Sequence, residues 1–538
     1  MVADPRAAAT EFRERRGPVG LTPDGGLALT VKHPNCAELL DLLLDAGSWT
    51  CWDGAPEQPT VSAAYGRDLS RAAARSGRDE SIRTGAGRVA GHRVAVVASE
   101  YDFLGGSVGR AAARRATAAI ERATAEKRVL LALPASGGTR IQEGTPAFLQ
   151  MLTISAAIAG HRAASLPYLV YLRHPTTGGV LASWASLGHV TFAEPGALVG
   201  FLGPRVVEAL TGAALARDAQ SPRALRRAGV VDAVVAPADL REAVQRVLRV
   251  VAVDRGPTTA ESGAGAQPAG VELVERGEPD HTGDPWASVL ATRAPDRPGL
   301  REFLAASTSD LTLLGASELG QGPDVPGTPM VTALALLRGI PCVVIGQDRE
   351  AQRHQPIGVR ALHAAQHAVQ RAADLRLPIV TVIDTPGAEL SEEAERSGLA
   401  AAIAHCLAAL LSTPVPTVSV LLGQGAGGAA LALLPADAVV AAEDAWLAPL
   451  PPEGASTIMH RTVDHAAEMA RELRITAGDL YRLGAVDVVV ARGPAGVGTT
   501  AGLAGLAGAV AHCLAGVAVR DAAARLAARR DRHRRLSP

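Results

Sequence analysis

Two pairs of adjacent glycines stand where an apolar run gives way to a small-residue segment. Gly178-Gly179 lies in YLRHPTTGGVLASWA, and Gly427-Gly428 lies 249 positions later in SVLLGQGAGGAALALL. A strand that ends in Gly-Gly and opens a helix presents backbone N–H groups with nothing bulky above them. The first amides of a helix have no intrahelical acceptor, and the helix dipole adds positive potential there. Glycine also lets a ligand carbonyl approach closely. Such a turn binds an anion or stabilises an oxygen that gains negative charge. Neither stretch carries the Lys and Ser/Thr of a nucleotide phosphate loop, and a dinucleotide fingerprint sits in one place rather than two.

A second small-residue turn accompanies each pair, ASGG with Gly138 and DTPG with Gly387, again 249 apart. Glu194 and Glu443 keep the same offset. His174 and Gln424 match in position but not in chemistry, so His174 reads as a loop residue rather than a base. No Ser, Cys or His stands beside both turns as a nucleophile with its base. The residues are suited to stabilising negative oxygen, not to attacking a carbonyl.

Matched apolar runs surround the turns. HRVAVVASE is answered by IPCVVIGQD, EKRVLLALPASGG by DLRLPIVTVIDTPG, and RRAGVVDAVV by YRLGAVDVVV. Short apolar strands alternating with helical stretches predict βαβ units, hence an α/β fold built twice. Residues 255–284, rich in Gly, Pro, Glu and Ala, read as an exposed linker. Residues 1–85 hold one apolar helix candidate, CAELLDLLLDAGSW, in an otherwise irregular region.

Composition limits the alternatives. At 538 residues the chain exceeds one core, and with 48% apolar and 20% charged residues it is globular. Aromatics are 3% and the net charge is -1, so neither stacking platforms nor a basic footprint point to nucleic acid. Five scattered cysteines without a C-x-x-C pair fit a reducing compartment, and the N-terminus shows no apolar signal core. Residues 499–519 are long enough to span a membrane but too rich in Ala and Gly to insert well, which predicts a packed helix.

The phrases then resemble a known family, the carboxyltransferase component of biotin-dependent acyl-CoA carboxylases, above all bacterial acetyl-CoA carboxylase with its β and α subunits fused. LLDAGSWTCWDG, FLGGSVGRA, ASGGTRIQEG, HPTTGGVLASWASLGH and AEPGALVGFLGPRV are β-type; DPWASVLATRAPDRPGL, IDTPGAELSEEAERSG, QGAGGAALALLPAD and PPEGASTI are α-type. The resemblance implies two tandem crotonase-like (ββα-superhelix) domains. The expected limits are 86–254 for the acyl-CoA side and 285–520 for the biotin side, with a basic tail over 521–538. Three departures stand out. The β-type zinc ribbon has no four-cysteine counterpart, so no metal is expected. The α-type insert after IGQD is shortened to REAQRHQPIG, and Gln424 replaces an acidic residue.

Family chemistry explains the missing nucleophile. Carboxybiotin on a separate carrier releases carbon dioxide, and its ureido oxyanion takes a proton from the thioester α-carbon, so both partners place charge on oxygen. Carried over by position, Gly138, Gly178 and Gly179 would hold the thioester oxygen. Gly387, Ala388, Gly428 and Ala429 would hold the ureido oxygen of biotin. Arg140 would contact CoA, while Glu395 and Gly398 read as structural. A biotin carboxyl carrier protein and a biotin carboxylase are expected as separate chains. A cytoplasmic homodimer or higher oligomer is also expected, its sites shared between chains. The alternatives are a non-catalytic carboxyltransferase-like subunit, or another crotonase-type CoA enzyme.

Overall fold

The computed structural model describes residues 19–21, 27–29, 33–56, 62–216, 218–252, 284–320, 327–491 and 500–535. The expected linker lies outside them except for Asp284, as do most residues before His33. The chain forms two compact units. One comprises Met1–His161, Tyr168–Arg226 and Val234–Ala243; the other comprises Arg162–Pro167, Arg227–Ala233 and Val244–Pro538.

The first unit opens on helix α1 (Cys36–Leu43), the helix read in the sequence. Asn35 caps it by accepting from the Glu38 amide, while the Glu38 side chain accepts from the Asn35 amide. The sheet that follows uses β1 (Thr50–Cys51), β2 (Ile82–Val89), β3 (His92–Ser99), β4 (Val129–Leu133) and β5 (Tyr168–Leu172). Then come the short β6 (Thr176–Thr177), β7 (Val190–Ala193), the short β8 (Val199–Gly200) and β9 (Ala233–Val234). The seven-stranded order is β9-β7-β5-β4-β3-β2-β1. β3, β4, β5 and β7 are mutually parallel, and β2 returns antiparallel on β3. Every residue of β4 and β5 is buried. That is why these strands read as continuous apolar runs rather than alternating ones. Helix α2 (Arg110–Ala125) buries Ala112, Ala116, Ala119 and Ala123, small side chains that bring its backbone close to a neighbouring surface. Helix α3 (Gly144–Ala163) follows β4, and the four-residue α4 (Gly178–Leu181) follows β6.

The second unit repeats the plan. Its strands are β10 (Thr308–Leu313), β11 (Met330–Leu337), β12 (Ile340–Gln347), β13 (Ile379–Thr385), β14 (Thr417–Ala426), β15 (Ala438–Ala442), β16 (Trp446–Ala448) and β17 (Val488–Val490). The order is β10-β11-β12-β13-β14-β15-β17, with β16 paired to β14. From β12 to β17 the path is parallel. Helices α5 (Val359–Asp374), α6 (Leu399–Ser412) and the short α7 (Gly427–Leu431) cross between strands.

The apolar segment near the C-terminus is α8 (Thr500–Ala518), whose Leu506, Val510 and Leu514 pack with Val331, Val344, Val380 and Val418 of the sheet. Each such side chain contributes about 1.5–3 kcal/mol by leaving water. Among the described residues no single helix is long and apolar enough to cross a membrane.

Two buried arginines differ from their sequence reading. Residues 521–538 were expected as a basic tail, but helix α9 (Ala522–Asp531) turns Arg525 and Arg529 inward while Arg530 stays exposed. Arg529, 2% exposed, donates to the carbonyls of Leu410, Thr413 and Val415 and forms a two-pronged pair with Asp437 at 2.8 and 2.7 Å. In the first unit, Arg140 is fully buried against Glu80, which is also fully buried. Its guanidinium also donates to the Tyr65 hydroxyl, the Ser81 hydroxyl and the Ser107 carbonyl. Tyr65 in turn donates to Glu143 at 2.6 Å, and burial together with that carboxylate pushes its hydroxyl up to about 12.

Removing one partner of such a pair strands the other charge, a loss of about 3–5 kcal/mol. Arg529→Met and Arg140→Met are each expected to lower unfolding free energy by about that much. Denaturant titration followed by circular dichroism checks this, and a change below about 1 kcal/mol for either contradicts the buried-pair reading.

Candidate functional site

In the first unit the two turns touch backbone to backbone. Ser136 bridges Thr176, and the Thr177 amide donates to the Ser136 carbonyl at 2.9 Å. Gly138 has φ +110°, a region closed to most side chains. Its N–H donates to the Ser136 hydroxyl at 3.0 Å, so this amide is engaged internally. Its carbonyl accepts from Val108, and the Arg140 amide donates back to Val108. The amide between them, that of Thr139, has no acceptor among the described residues. Gly178, with φ +63°, is also engaged, donating to the Phe201 carbonyl at 2.8 Å. The next amide, that of Gly179, has no such partner. A Cβ on Gly178 would stand 3.2 Å from the Gly138 Cα, and one on Gly179 would stand 2.8 Å from the Thr139 Oγ1. That hydroxyl itself has no hydrogen-bond partner.

The second unit builds the same device. Gly387 has φ +137°, and its N–H donates to the Thr385 hydroxyl at 3.1 Å. Ile357 bridges Ala388 and accepts from the Glu389 amide at 3.0 Å. The Ala388 amide has no acceptor among the described residues, and neither do those of Gly428 and Ala429 at the start of α7. Gly427 repeats the positive φ of Gly178 at +64°. A Cβ on Gly428 would meet Ile403 at 2.8 Å, so glycine lets α6 lie close.

The structure therefore brings together Gly138, Gly178 and Gly179 in one unit, and separately Gly387, Ala388, Gly428 and Ala429 in the other. Three of the expected donors, Gly138, Gly178 and Gly387, are engaged internally, and one donor, Thr139, is added. Thr139 replaces Gly138, Gly179 stands without Gly178, and Ala388 stands without Gly387. Thr139 carried no signal, because only the hydroxyl of Ser136 reveals which amide is engaged. Arg140 follows the turn in sequence, yet its burial against Glu80 leaves no face for a phosphate, which corrects the reading of it as a CoA contact. Gly398, with φ +80° at the start of α6, has a backbone need for glycine.

Neighbouring groups fit a supporting role. His174 stacks on His33 at 4.3 Å and accepts from the Leu198 amide at 3.1 Å; burial and the second ring push its pKa down. Gln424 lies within β14, where its amide donates to Asp384 Oδ1 at 3.0 Å. Asp384 is fully buried, which pushes its carboxyl up while Arg349 and Arg297 pull it down. Donors held without acceptors in two places can each bind an oxygen that gains charge.

Residues 36–483 match the family described as Carboxyl transferase domain. The chain is 51% identical over 458 residues to a probable biotin-dependent acyl-coenzyme A carboxylase beta3 subunit of Mycobacterium tuberculosis, covering 85% of this chain and 89% of that one. It is 38% identical over 467 residues to the acetyl-coenzyme A carboxylase carboxyl transferase subunits beta/alpha of Salinispora arenicola, covering 83% and 80%. Its fold matches transcarboxylase 12S, described as a hexamer, with a TM-score of 0.71 at 20% identity over 91% of this chain and 90% of that one. A single-chain, multi-domain long-chain acyl-CoA carboxylase gives a TM-score of 0.68 at 19% identity, covering 95% of this chain and 47% of that one. With both α/β units sharing the crotonase-like fold of these neighbours, the chain belongs to the carboxyl transferase family, that of the biotin-dependent acyl-CoA carboxylases.

Proposed function

We propose that the chain transfers a carboxyl group from carboxybiotin, held on a separate carrier protein, to the α-carbon of acetyl-CoA or another short acyl-CoA. The product is malonyl-CoA or a homologue, supplied to fatty acid synthesis in the cytoplasm. One observation carries the reading. In each unit a hydroxyl, Ser136 or Thr385, engages the turn glycine, and the following amide, Thr139 or Ala388, is left open beside a second open amide.

On the acyl side, Thr139 and Gly179 direct their amides at the thioester oxygen. They favour the enolate over the thioester because the enolate oxygen carries more charge, and one such donor lowers a barrier by about 3–4 kcal/mol. On the biotin side, open amides at Ala388, Gly428 and Ala429 fit the ureido oxygen. Bound carboxybiotin supplies the carboxyl group as carbon dioxide and an oxygen able to take the α-proton. The new carbon–carbon bond forms as the enolate electrons reach the carbon dioxide, so the α-carbon exchanges a proton for a carboxylate.

The acyl side and the biotin side act together at an interface between chains of a homodimer or larger assembly. Each mouth carries a large exposed apolar residue two positions past its open amide, Ile141 at 83% and Leu390 at 99% exposed, which supports cover by a partner surface.

The reverse reaction, malonyl-CoA-dependent carboxylation of free biotin, tests the assignment. Gly179→Val pushes on Thr139 and is expected to lower turnover roughly 100–1000-fold, raising the malonyl-CoA requirement. Gly428→Val pushes on Ile403 and is expected to raise the biotin requirement instead. Identical effects of both on both substrates, in folded protein, would sink the assignment. Co-expressing the two variants should restore activity, because a mixed dimer holds one site with both turns intact. A mixture as inactive as its components means that each site lies within one chain.

A further inference from the structure

Beneath the two turns of the second unit runs a continuous chain of hydrogen bonds. The Gly387 amide donates to the Thr385 hydroxyl, which donates to Gln352 Oε1 at 2.6 Å. Gln352 Nε2 donates to the Asp384 carbonyl at 3.0 Å. The Asp384 amide donates to Gln347 Oε1 at 3.2 Å, and Gln347 Nε2 donates to the Ala429 carbonyl at 2.7 Å. Gln347 is fully buried and Gln352 is 9% exposed. Thus two side-chain amides connect the end of β13 to the first turn of α7, joining the peptide before Ala388 to the peptide after Ala429.

Among the described residues the first unit shows no such chain. Val343 pairs Ile379 as Ala95 pairs Leu130, which places Ser99 where Gln347 stands. Ala135 holds the place of Asp384, and only Ser136 keeps a hydroxyl, like Thr385. There the turn glycines pack directly on neighbouring backbone. A Cβ on Gly106 would lie 2.0 Å from the Ala135 carbonyl oxygen, and one on Gly138 would lie 3.3 Å from the Gly178 Cα. A Cβ on Gly387 would meet nothing within 4 Å. The strand ends bridge in both units, Ser136 to Thr176 and Thr385 to Gly425; in the second, side chains run beneath the turns as well.

We infer that Gln347 and Gln352 are positioning residues that set the separation between the Ala388 amide and the Gly428 and Ala429 amides. The inference rests on the proposed carboxyl transfer, which supplies the two different oxygens. Loss of either glutamine leaves a buried peptide group unpaired, so the turn must shift to recover a partner. A misplacement of about 1 Å lowers a rate roughly 100-fold.

Gln347→Met and Gln352→Met keep side-chain volume and remove the hydrogen bonds. In the reverse reaction each is expected to lower kcat roughly 10–100-fold while leaving the malonyl-CoA KM unchanged. Thr381→Val is the control. It removes a buried hydrogen bond in the same strand, to the Leu433 carbonyl at 2.8 Å, away from both turns. It is expected to lower Tm without this split. A kcat loss in the control matching that of the glutamine variants at equal Tm change overturns the positioning role. Hydrogen exchange supplies a readout independent of turnover. The Ala432 and Leu433 amides, which bond back into α7, should exchange faster in Gln347→Met. If the wild-type protein transfers no carboxyl group, the proposed function falls. Exchange then decides alone: unchanged protection at these amides overturns the inference, and faster exchange upholds the mechanical link. Should Gln347→Met fail to fold, Gln352→Met tests the other end of the chain by the same measurements.

Discussion

A backbone N–H buried without an acceptor costs about 1–3 kcal/mol, and folding normally eliminates such groups. Here half-buried Thr139, Gly179, Ala388 and Gly428 keep amides without a protein acceptor, which sets the requirements for the surrounding residues. A strand cannot leave an amide open while its neighbours stay paired unless the chain bends. The bends fall at Gly138 and Gly387, where φ is +110° and +137°. Ser136 and Thr385 then draw the glycine amide inward, so the next peptide turns its N–H outward. Parallel strands bring a second turn alongside, because β4 and β5 in one unit and β13 and β14 in the other run side by side in the same direction.

The same requirement is met by two different constructions. In the first unit backbone lies against backbone, which demands glycine at 106, 138 and 178 and leaves no room for side chains. In the second, the strand ends also pair, Thr385 with Gly425, and the glutamine side chains take up the Asp384 peptide groups and the Ala429 carbonyl beneath the turns. Backbone contact is rigid and narrow.

Much of this was legible in the sequence. The matched runs gave two α/β units because buried parallel strands must be apolar throughout, as Val129–Leu133 is. The glycine turns stood out because positive φ restricts residue choice. What remained hidden depended on contacts distant in sequence. Arg140 read as a CoA contact beside the turn until Glu80, 60 positions away, appeared as its partner. Gln347 and Ala429 are 82 residues apart and share no motif. Gly138 rather than Thr139 was expected as the donor because a motif shows residue types, not which amide a nearby hydroxyl has taken. The cations of α9 were read as a tail for the same reason: Asp437 lies 92 positions from Arg529.

The clasp formed by Arg529 bears on how the chain is made. Leu410, whose carbonyl it holds, leaves the ribosome 119 residues ahead of it. At a synthesis rate of about 5–20 residues per second, roughly 6–24 seconds separate the two. The carbonyls of Leu410, Thr413 and Val415 await their cation for nearly all of that interval, and the carboxylate of Asp437, 92 residues before Arg529, for the later part of it. The second unit thus waits longer for its buried arginine than the first, whose Arg140 meets a glutamate made 60 residues earlier. The two halves, alike in architecture, mature on different clocks.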